Sequence, residues 1–417
     1  MPKQYTAENL QVLDGLDAVR MRPGMYIGST GQRGLHHLLW EIVDNGIDEI
    51  ANDYATEVAV TIHKDGSCSV WDNGRGVPVD KHPKLGISGV ELIYTKLHAG
   101  GKFDHKNYNY SGGLHGVGAS VVNALSKWMT VDSFRDWEHW HMRFESVWDP
   151  KAKKLLPGHP VGELQKVGNT RKHGTLVRFL PDDAVFEETQ WNGETIARRL
   201  RELAYLNRGA SITFQDERAQ PPQNEPRTFQ YDGGIADYVS YLNRDKTPLH
   251  PTPIIFEAQR DGIMMQLAMQ YTDAYTESTF SYVNNIPTAE GGTHETGLRA
   301  ALTKGFNDYG RRIGAIKEKD MGLAGEDYRE GLTALLSVKV PNPQFEGQTK
   351  GRLGNTEVRP AIEAMVSLKL QEFLEDLKNA ELGQLIMEKA LKAARVREAS
   401  RKAREVARAR NELEAAP

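Results

Sequence analysis

Glu41 and Asn45 stand four residues apart in "EIVDNGIDE", a spacing that on a helix aims a carboxylate and a neutral amide the same way. Such a carboxylate can take a proton from an attacking water. The amide oxygen beside it can serve a magnesium ion, which takes few protein oxygens and keeps waters and phosphates at its other positions. His37, one turn earlier, is placed to orient or polarise Glu41. The same residues also read as the solvated polar face of a helix. Asp72 ends a strand-like run and opens "DNGRG". There it could accept a hydrogen bond from an exocyclic amine such as adenine's, with Gly74 and Gly76 letting a base slide against backbone. A simple Asx turn explains it as well. Finally, "SGGLHGVGAS" (111–120) sets four glycines within seven residues, ahead of an apolar run. Free N–H groups at the start of a helix suit a phosphate. The run is not GxxxxGK[ST], no lysine follows its last glycine, and it is not GxGxxG after a strand. A Walker A loop and the dinucleotide fingerprint are therefore excluded. Alone, it is equally a mobile surface loop.

These residues need elements to hold them. Residues 33–52 have a helical period, with Leu35, Leu38, Leu39, Ile42, Val43, Ile47 and Ile50 on one face. His37, Glu41, Asp44, Asn45, Asp48 and Asn52 gather on the other. "EVAVTIHKDGSCSVWDNGRG" reads as a hairpin turning at Lys64-Asp65-Gly66. Residues 98–118 are glycine-rich and irregular, long enough for a lid. Strands "HWHMRFESVW" and "GTLVRFLP" follow, then a helix "ETIARRLRELAYLN" and a strand "GASITFQD". The proline-rich stretch near 216–230 suggests a boundary. A second αβ domain follows from about 231, with strands "IIFEAQ", "MMQLAMQYT" and "STFSYVNNI". Next come the turn "AEGGTHETGLRAAL", which starts a helix with Thr293 as N-cap, a strand "LTALLSVKVPNP" and the loop "QFEGQTKGRLGN". One or two long charged helices run from Pro360. No internal repeat is present.

At 417 residues the chain should split into two or three domains. Its 39% hydrophobic and 26% charged residues suit a globular protein. No apolar run approaches a membrane span and the first residues are no signal peptide, so no membrane partner is expected. The single cysteine, Cys68, reads as a strand residue and fits a reducing cytoplasm. A net charge of −4 predicts no overall pull toward nucleic acid. Lys389 to Arg410, however, holds nine Lys/Arg against Glu398 and Glu405. That stretch is either a solvated helix or a basic surface near DNA.

The order "EIVDNGIDE", "DNGRG", "GGLHGVG" and "HGT" (173–175) resembles the Bergerat-type ATPase superfamily. That group includes type II topoisomerases, mismatch-repair proteins, heat-shock chaperones and histidine kinases. "LDGLDAVRMRPGMYIG", "LHAGGKF", "SGGLHGVG", "NNIPTAEGGTHE" and "QTK" are similar to the gyrase B family in particular, over nearly the whole chain. The resemblance implies an α/β fold: a Bergerat-type sandwich with a mixed sheet and helices on one face, then an α+β transducer domain and a long C-terminal helix. It implies an N-terminal dimerisation arm (1–14), an ATPase domain (15–228), a transducer domain (229–392) and a connector stub (393–417).

It also implies roles. Glu41 would be the base and His37 its orienting partner. Asn45 would hold Mg²⁺, the cofactor that accompanies ATP. Asp72, supported by Thr175, would read adenine. Gly112, Gly113, Leu114, His115, Gly116, Val117 and Gly118 would cradle phosphates, with Gly101, Lys102 and Tyr108 in the lid. Gly76, Pro78 and Ile93 would line the base pocket, and Arg75 and Arg135 its mouth, where ATPase-site inhibitors bind. Gln348 and Lys350 would reach the γ-phosphate, and Tyr5 would come from a partner's arm. The expected activity is ATP hydrolysis that closes a dimer and drives strand passage and negative supercoiling of double-stranded DNA. The implied partners are a second copy and the gyrase A protein. The corresponding topoisomerase IV component is the near alternative, since it shares these motifs. The gyrase-like arm and "QTK" disfavour a mismatch-repair clamp, and no phosphoacceptor hairpin precedes the motifs as in a histidine kinase. No "EGDSA" stretch occurs, so a fragment of the whole gyrase B protein is expected. One departure stands out: Gly46 replaces a small residue with a side chain, which predicts a slightly softer helix.

Overall fold

The computed structural model describes residues 15–101, 108–113, 116–151, 153–347 and 350–414, with side chains to residue 408. Tyr5, Lys102, Leu114, His115 and Gln348 lie outside the described residues. The chain divides into two compact units, 1–234 and 235–417.

The first unit's helices are α1 (Gly15–Met21), α2 (Gly24–Ile27), α3 (Gln32–Ala51), α4 (Gly89–Thr95), α5 (Gly118–Ala124) and α6 (Gly193–Leu206). Its strands are β1 (Glu57–Ile62), β2 (Cys68–Asp72), β3 (Ser126–Arg135), β4 (Glu138–Asp149), β5 (Lys154–Pro160), β6 (Gln165–Asn169), β7 (Gly174–Pro181), β8 (Ser211–Asp216) and β9 (Arg227–Phe229). They form one sheet in the order β5-β4-β3-β7-β2-β1-β8-β9, with β6 on β4. Among the described residues of this sheet only β1 and β8 pair in parallel, so the sheet is mixed. β1 and β2 form the expected hairpin, with Val58 opposite Asp72. Val58, Val60 and Ile62 alternate inward and meet the apolar face of α3. Leu35, Leu38, Leu39, Ile42, Val43 and Ile47 of that face are buried, at about 1.5–3 kcal/mol each. Cys68 is fully buried in β2 and burial pushes its thiol far above the ordinary range, so it is no nucleophile.

The second unit contains α7 (Ile235–Leu242), α8 (Thr293–Arg312), α9 (Gly325–Arg329), α10 (Val358–Glu375) and α11 (Ala380–Glu414). Strands β10 (Ile254–Arg260), β11 (Ile263–Tyr271), β12 (Ser278–Val283), β13 (Ile286–Pro287) and β14 (Leu332–Lys339) make a sheet ordered β10-β11-β14-β12-β13. A short ladder, β15 (Phe345–Glu346) with β16 (Arg352–Leu353), carries Lys350 between its strands. The C-terminal charged segment is two helices. The first half of α11 docks through Ile386, Met387, Ala390 and Ala394, and Arg397 clasps buried Asp327 with two 2.9 Å hydrogen bonds. Residues 398–408 are exposed. Among the described residues no helix is long and apolar enough to cross a membrane.

Thr293 is not the N-cap of α8. Gly292 occupies that position at φ 144°, and the Thr293 hydroxyl is buried without a partner among the described residues. The cause is long-range: a Cβ on Gly292 would lie 2.5 Å from the Leu353 carbonyl oxygen, so the turn is shaped by β16 rather than by a capping side chain.

Candidate functional site

One stripe of α3 carries the polar residues, and it is not a solvated face. His37 Nε2 lies 3.1 Å from Glu41 Oε1. The other Glu41 oxygen meets the first residue of α5: a Cβ on Gly118 would fall 2.0 Å from Glu41 Oε2. Only glycine lets the N-terminus of α5 come against that carboxylate. Asn45 follows one turn later. After it, Asp48 is 2% exposed and accepts from Ser111 Oγ at 2.7 Å and from the Gly112 N–H at 2.9 Å. Asn52 accepts from the Asn109 N–H and donates to the Tyr110 carbonyl, both at 2.8 Å. The glycine segment is thus held over the stripe. The Ala99 N–H donates to the Gly116 carbonyl at 3.2 Å, joining the two ends of the 98–118 region.

Asp72 ends β2 directly opposite Thr175 of β7 and is 8% exposed. Its carboxylate accepts from the Gly74 N–H at 2.8 Å, and the nearby Thr175 backbone also favours its charged form. Burial outweighs both and, with the Glu49 charge nearby, raises its pKa to about 7. Gly46 faces both Asp72 and β1 at close range. A Cβ there would sit 2.9 Å from Val58 Cγ2 and 3.2 Å from Asp72 Cβ. The glycine is therefore the point where α3 approaches the sheet, and not merely a soft place in the helix. Gly46→Ala is expected to lower stability by about 1–2 kcal/mol, because overpacking costs more than the gain in helix propensity of roughly 1 kcal/mol. It should also weaken nucleotide binding by displacing Asp72. Thermal unfolding and calorimetry check both; a stabilised variant with unchanged affinity would contradict the tight fit.

The rim beside Asp72 is built on Glu49. Its carboxylate takes the Arg75 side chain at 2.7 and 3.0 Å, the Arg75 N–H at 3.1 Å and the Tyr108 hydroxyl at 2.5 Å. Burial alone would raise the Glu49 pKa, but these hydrogen bonds from Arg75 and Tyr108 hold it below the ordinary value. The Arg75 guanidinium lies over two rings, 3.6 Å from the Tyr54 centroid and 4.7 Å from that of Tyr108, a cation–π arrangement. Arg135 donates to the Gly76 carbonyl at 3.4 Å from the end of β3. Ile93, on α4, packs partly buried against the core. Pro78 is exposed in the segment between the "DNGRG" turn and α4.

The structure therefore gathers His37, Glu41, Asn45, Asp72, Arg75, Gly76, Arg135, Thr175, Tyr108, Gly112 and Gly118 within the first unit. Lys350 belongs to the second, buried, with φ 55° and its N–H toward the Gly347 carbonyl. Three residues of the site were not legible as such. Asp48 and Asn52 continue the polar stripe, and that period was the available signal. Glu49 lies off the stripe, and nothing in the sequence ties it to Arg75. Among the described residues no three His, Cys, Asp or Glu side chains gather to hold a metal. An amide oxygen next to a carboxylate fits instead an ion that arrives with a nucleotide and keeps phosphate and water ligands.

Residues 30–182 match the family described as histidine kinase-, DNA gyrase B-, and HSP90-like ATPases, and residues 234–406 match the DNA gyrase B family. The DNA gyrase B protein of Clostridium acetobutylicum is 48% identical over 98% of this chain, which spans 62% of that protein's length. The DNA topoisomerase 4 B protein of Enterococcus faecalis is 50% identical over 95% of this chain and 56% of its own length. The 43K ATPase domain of Thermus thermophilus gyrase B, solved in complex with an aminocoumarin, superposes with a TM-score of 0.77 at 39% identity. That match covers 94% of this chain and 98% of the solved one. With almost all of that domain matched at this identity, and both halves of the chain matching in order, the chain belongs to the DNA gyrase B family of type II topoisomerase subunits.

Proposed function

We propose that this chain binds ATP over α3 and hydrolyses it, and that in the full-length protein this closes a dimer and drives DNA strand passage. The observation that carries the reading is the His37–Glu41 pair held against Gly118 at the head of α5. A phosphate received by those backbone N–H groups lies beside a carboxylate oriented by an imidazole. Glu41 takes a proton from water as the water oxygen bonds to the γ-phosphorus and the bond to the bridging oxygen breaks, releasing ADP and phosphate. His37 orients Glu41. Asn45 would hold Mg²⁺, which neutralises phosphate charge when bound. Asp72, with Thr175, accepts the adenine amine, and Gly76, Pro78 and Ile93 border the base. Gly112, Gly113, Leu114, His115, Gly116, Val117 and Gly118 supply the phosphate cradle, and Gly101, Lys102 and Tyr108 the lid. Arg75 and Arg135 form the mouth used by ATPase-site inhibitors. Gln348 and Lys350 are assigned to the γ-phosphate, where a cation stabilises developing charge.

The division into arm (1–14), ATPase domain (15–228), transducer domain (229–392) and connector (393–417) belongs to this reading. So do Tyr5 as a partner-supplied contact, a cytoplasmic setting, duplex DNA, and the gyrase A protein as partner. The topoisomerase 4 reading is kept because a topoisomerase 4 relative matches as well as a gyrase relative does, 50% against 48%. ATP binding is expected to make the chain a dimer, since an exchanged arm and the γ-phosphate contacts favour the closed form only with a triphosphate. Sedimentation with a non-hydrolysable analogue should show dimer, and with ADP monomer; a version lacking residues 1–14 that still dimerises would remove the arm from the reading. Supercoiling by the full-length protein with each candidate partner separates gyrase from topoisomerase IV.

A further inference from the structure

"EGGTHE" (290–295), in the second unit, holds a fully buried histidine. His294 Nε2 lies 2.9 Å from Thr288 Oγ1, which lies 2.6 Å from Ser281 Oγ, which in turn lies 2.6 Å from Glu295 Oε1. A carboxylate only accepts, so Ser281 donates to Glu295, Thr288 donates to Ser281, and the Nε2–H of His294 donates to Thr288. This direction fixes one imidazole tautomer. It leaves Nδ1 as a bare lone pair, without a partner among the described residues. Burial lowers the His294 pKa to about 4, which keeps the ring neutral and the chain of protons intact at ordinary pH.

The turn braced in this way is the seat of another segment. The Glu290 N–H donates to the Gly351 carbonyl at 2.9 Å, and the Leu353 N–H donates to the Gly291 carbonyl at 3.1 Å. Arg352 Nη1 donates to the Glu290 carbonyl at 3.1 Å. Gly292 admits the Leu353 backbone where any side chain would collide. Immediately before this docked segment stands Lys350, whose φ of 55° is a left-handed conformation that a lysine keeps only where its surroundings impose it.

We infer that the His294–Thr288–Ser281–Glu295 chain is the positioning device for Lys350, holding the "EGGTHE" turn rigid so that the lysine is presented in one geometry. His294 is a positioning residue: it acts through the turn and touches no reacting atom. The inference rests on the reading of Lys350 as the γ-phosphate cation.

The test uses the whole chain and measures ATP turnover, analogue binding and amide exchange. Thr288→Val, which keeps the shape and removes the hydroxyl, and His294→Phe should each lower turnover about 10- to 100-fold, as a displacement of about 1 Å at a catalytic group does. Analogue affinity should be unchanged, the Glu290 and Leu353 amides should exchange faster, and Thr288→Ser should retain activity. Added to Lys350→Ala, neither substitution should lower turnover further. Wild-type turnover in Thr288→Val, or a full additional loss on top of Lys350→Ala, overturns the positioning role. Full turnover in Lys350→Ala alone instead overturns the reading of the lysine, and the inference falls with it. If His294→Phe does not fold, the Val and Ser variants at position 288 decide.

Discussion

Glu41→Ala should bind ATP nearly as well as the unaltered protein while hydrolysing it about 10²–10⁴-fold more slowly, the usual cost of removing a general base. Binding survives because Asp72, the proposed adenine contact, and the loop held by Asp48 and Asn52 are separate from the Glu41 side chain. Glu41→Gln sharpens the test. The amide keeps the size that rests against Gly118 but cannot take a proton, so it should be as slow as alanine. Asn45→Ala should instead weaken magnesium-dependent binding. Single-turnover hydrolysis beside calorimetry with an analogue separates the two effects, and near-normal turnover in either Glu41 variant takes the carboxylate out of the chemistry.

Asp72→Asn should lose nucleotide affinity about 10- to 100-fold, corresponding to one unsatisfied buried group. The carboxylate already accepts from the Gly74 N–H, with the Thr175 backbone also favouring its charged form. An amide must turn its NH₂ toward either that donor or the adenine amine, and donor meets donor both ways. The pH dependence gives an independent reading. Because burial holds the Asp72 pKa near 7, well above the unfolded value, the folded protein keeps a proton that the unfolded chain loses at about pH 4. The stability tied to that proton is whole below pH 4 and lost as pH rises through 7, roughly 4 kcal/mol over the window. Melting curves of Asp72→Asn should lack this decline. ATP affinity of the unaltered protein should rise through pH 7 as the accepting carboxylate forms. Parallel pH profiles for the two proteins would assign the titration elsewhere.

The parts of the site that follow from helical or strand period were readable in the residues. His37, Glu41 and Asn45 needed only a spacing of four, and Asp72 only its place at the end of an alternating run. What was not readable depended on distant backbone. Asp48 looks like a surface acid until Ser111 and Gly112 cover it. Thr293 has the composition of a cap, but Leu353, sixty residues on, dictates the turn. The passage from α5 into β3 has no glycine or proline to mark it. Ser126 opens the strand while its hydroxyl still caps the Val122 carbonyl at 2.7 Å, so "SVVNALSKWMTV" gives no sign of where helix becomes strand. The extent of the mixed sheet was missed for a related reason: β5, β6 and β9 lack strong alternation of their own and are ordered by their neighbours.

Because α3 carries His37, Glu41, Asn45, Asp48 and Glu49, and Asn52 caps its C-terminus, its length is itself a constrained quantity. Each residue of a helix advances the chain by about 1.5 Å and turns it by about 100°. One codon inserted between His37 and Glu41 would swing every later side chain a quarter-turn or more, sending Asn45, Asp48 and Asn52 off their targets together. One codon lost there would do the same in the opposite sense. Substitutions along this helix are therefore graded in effect, whereas insertions and deletions act as all-or-none lesions. The exposed turn at Gly162 and Glu163, between β5 and β6, carries no such constraint. Length variation among natural copies of this protein should accumulate in turns of that kind, and the twenty residues from Gln32 to Ala51 should never vary in number.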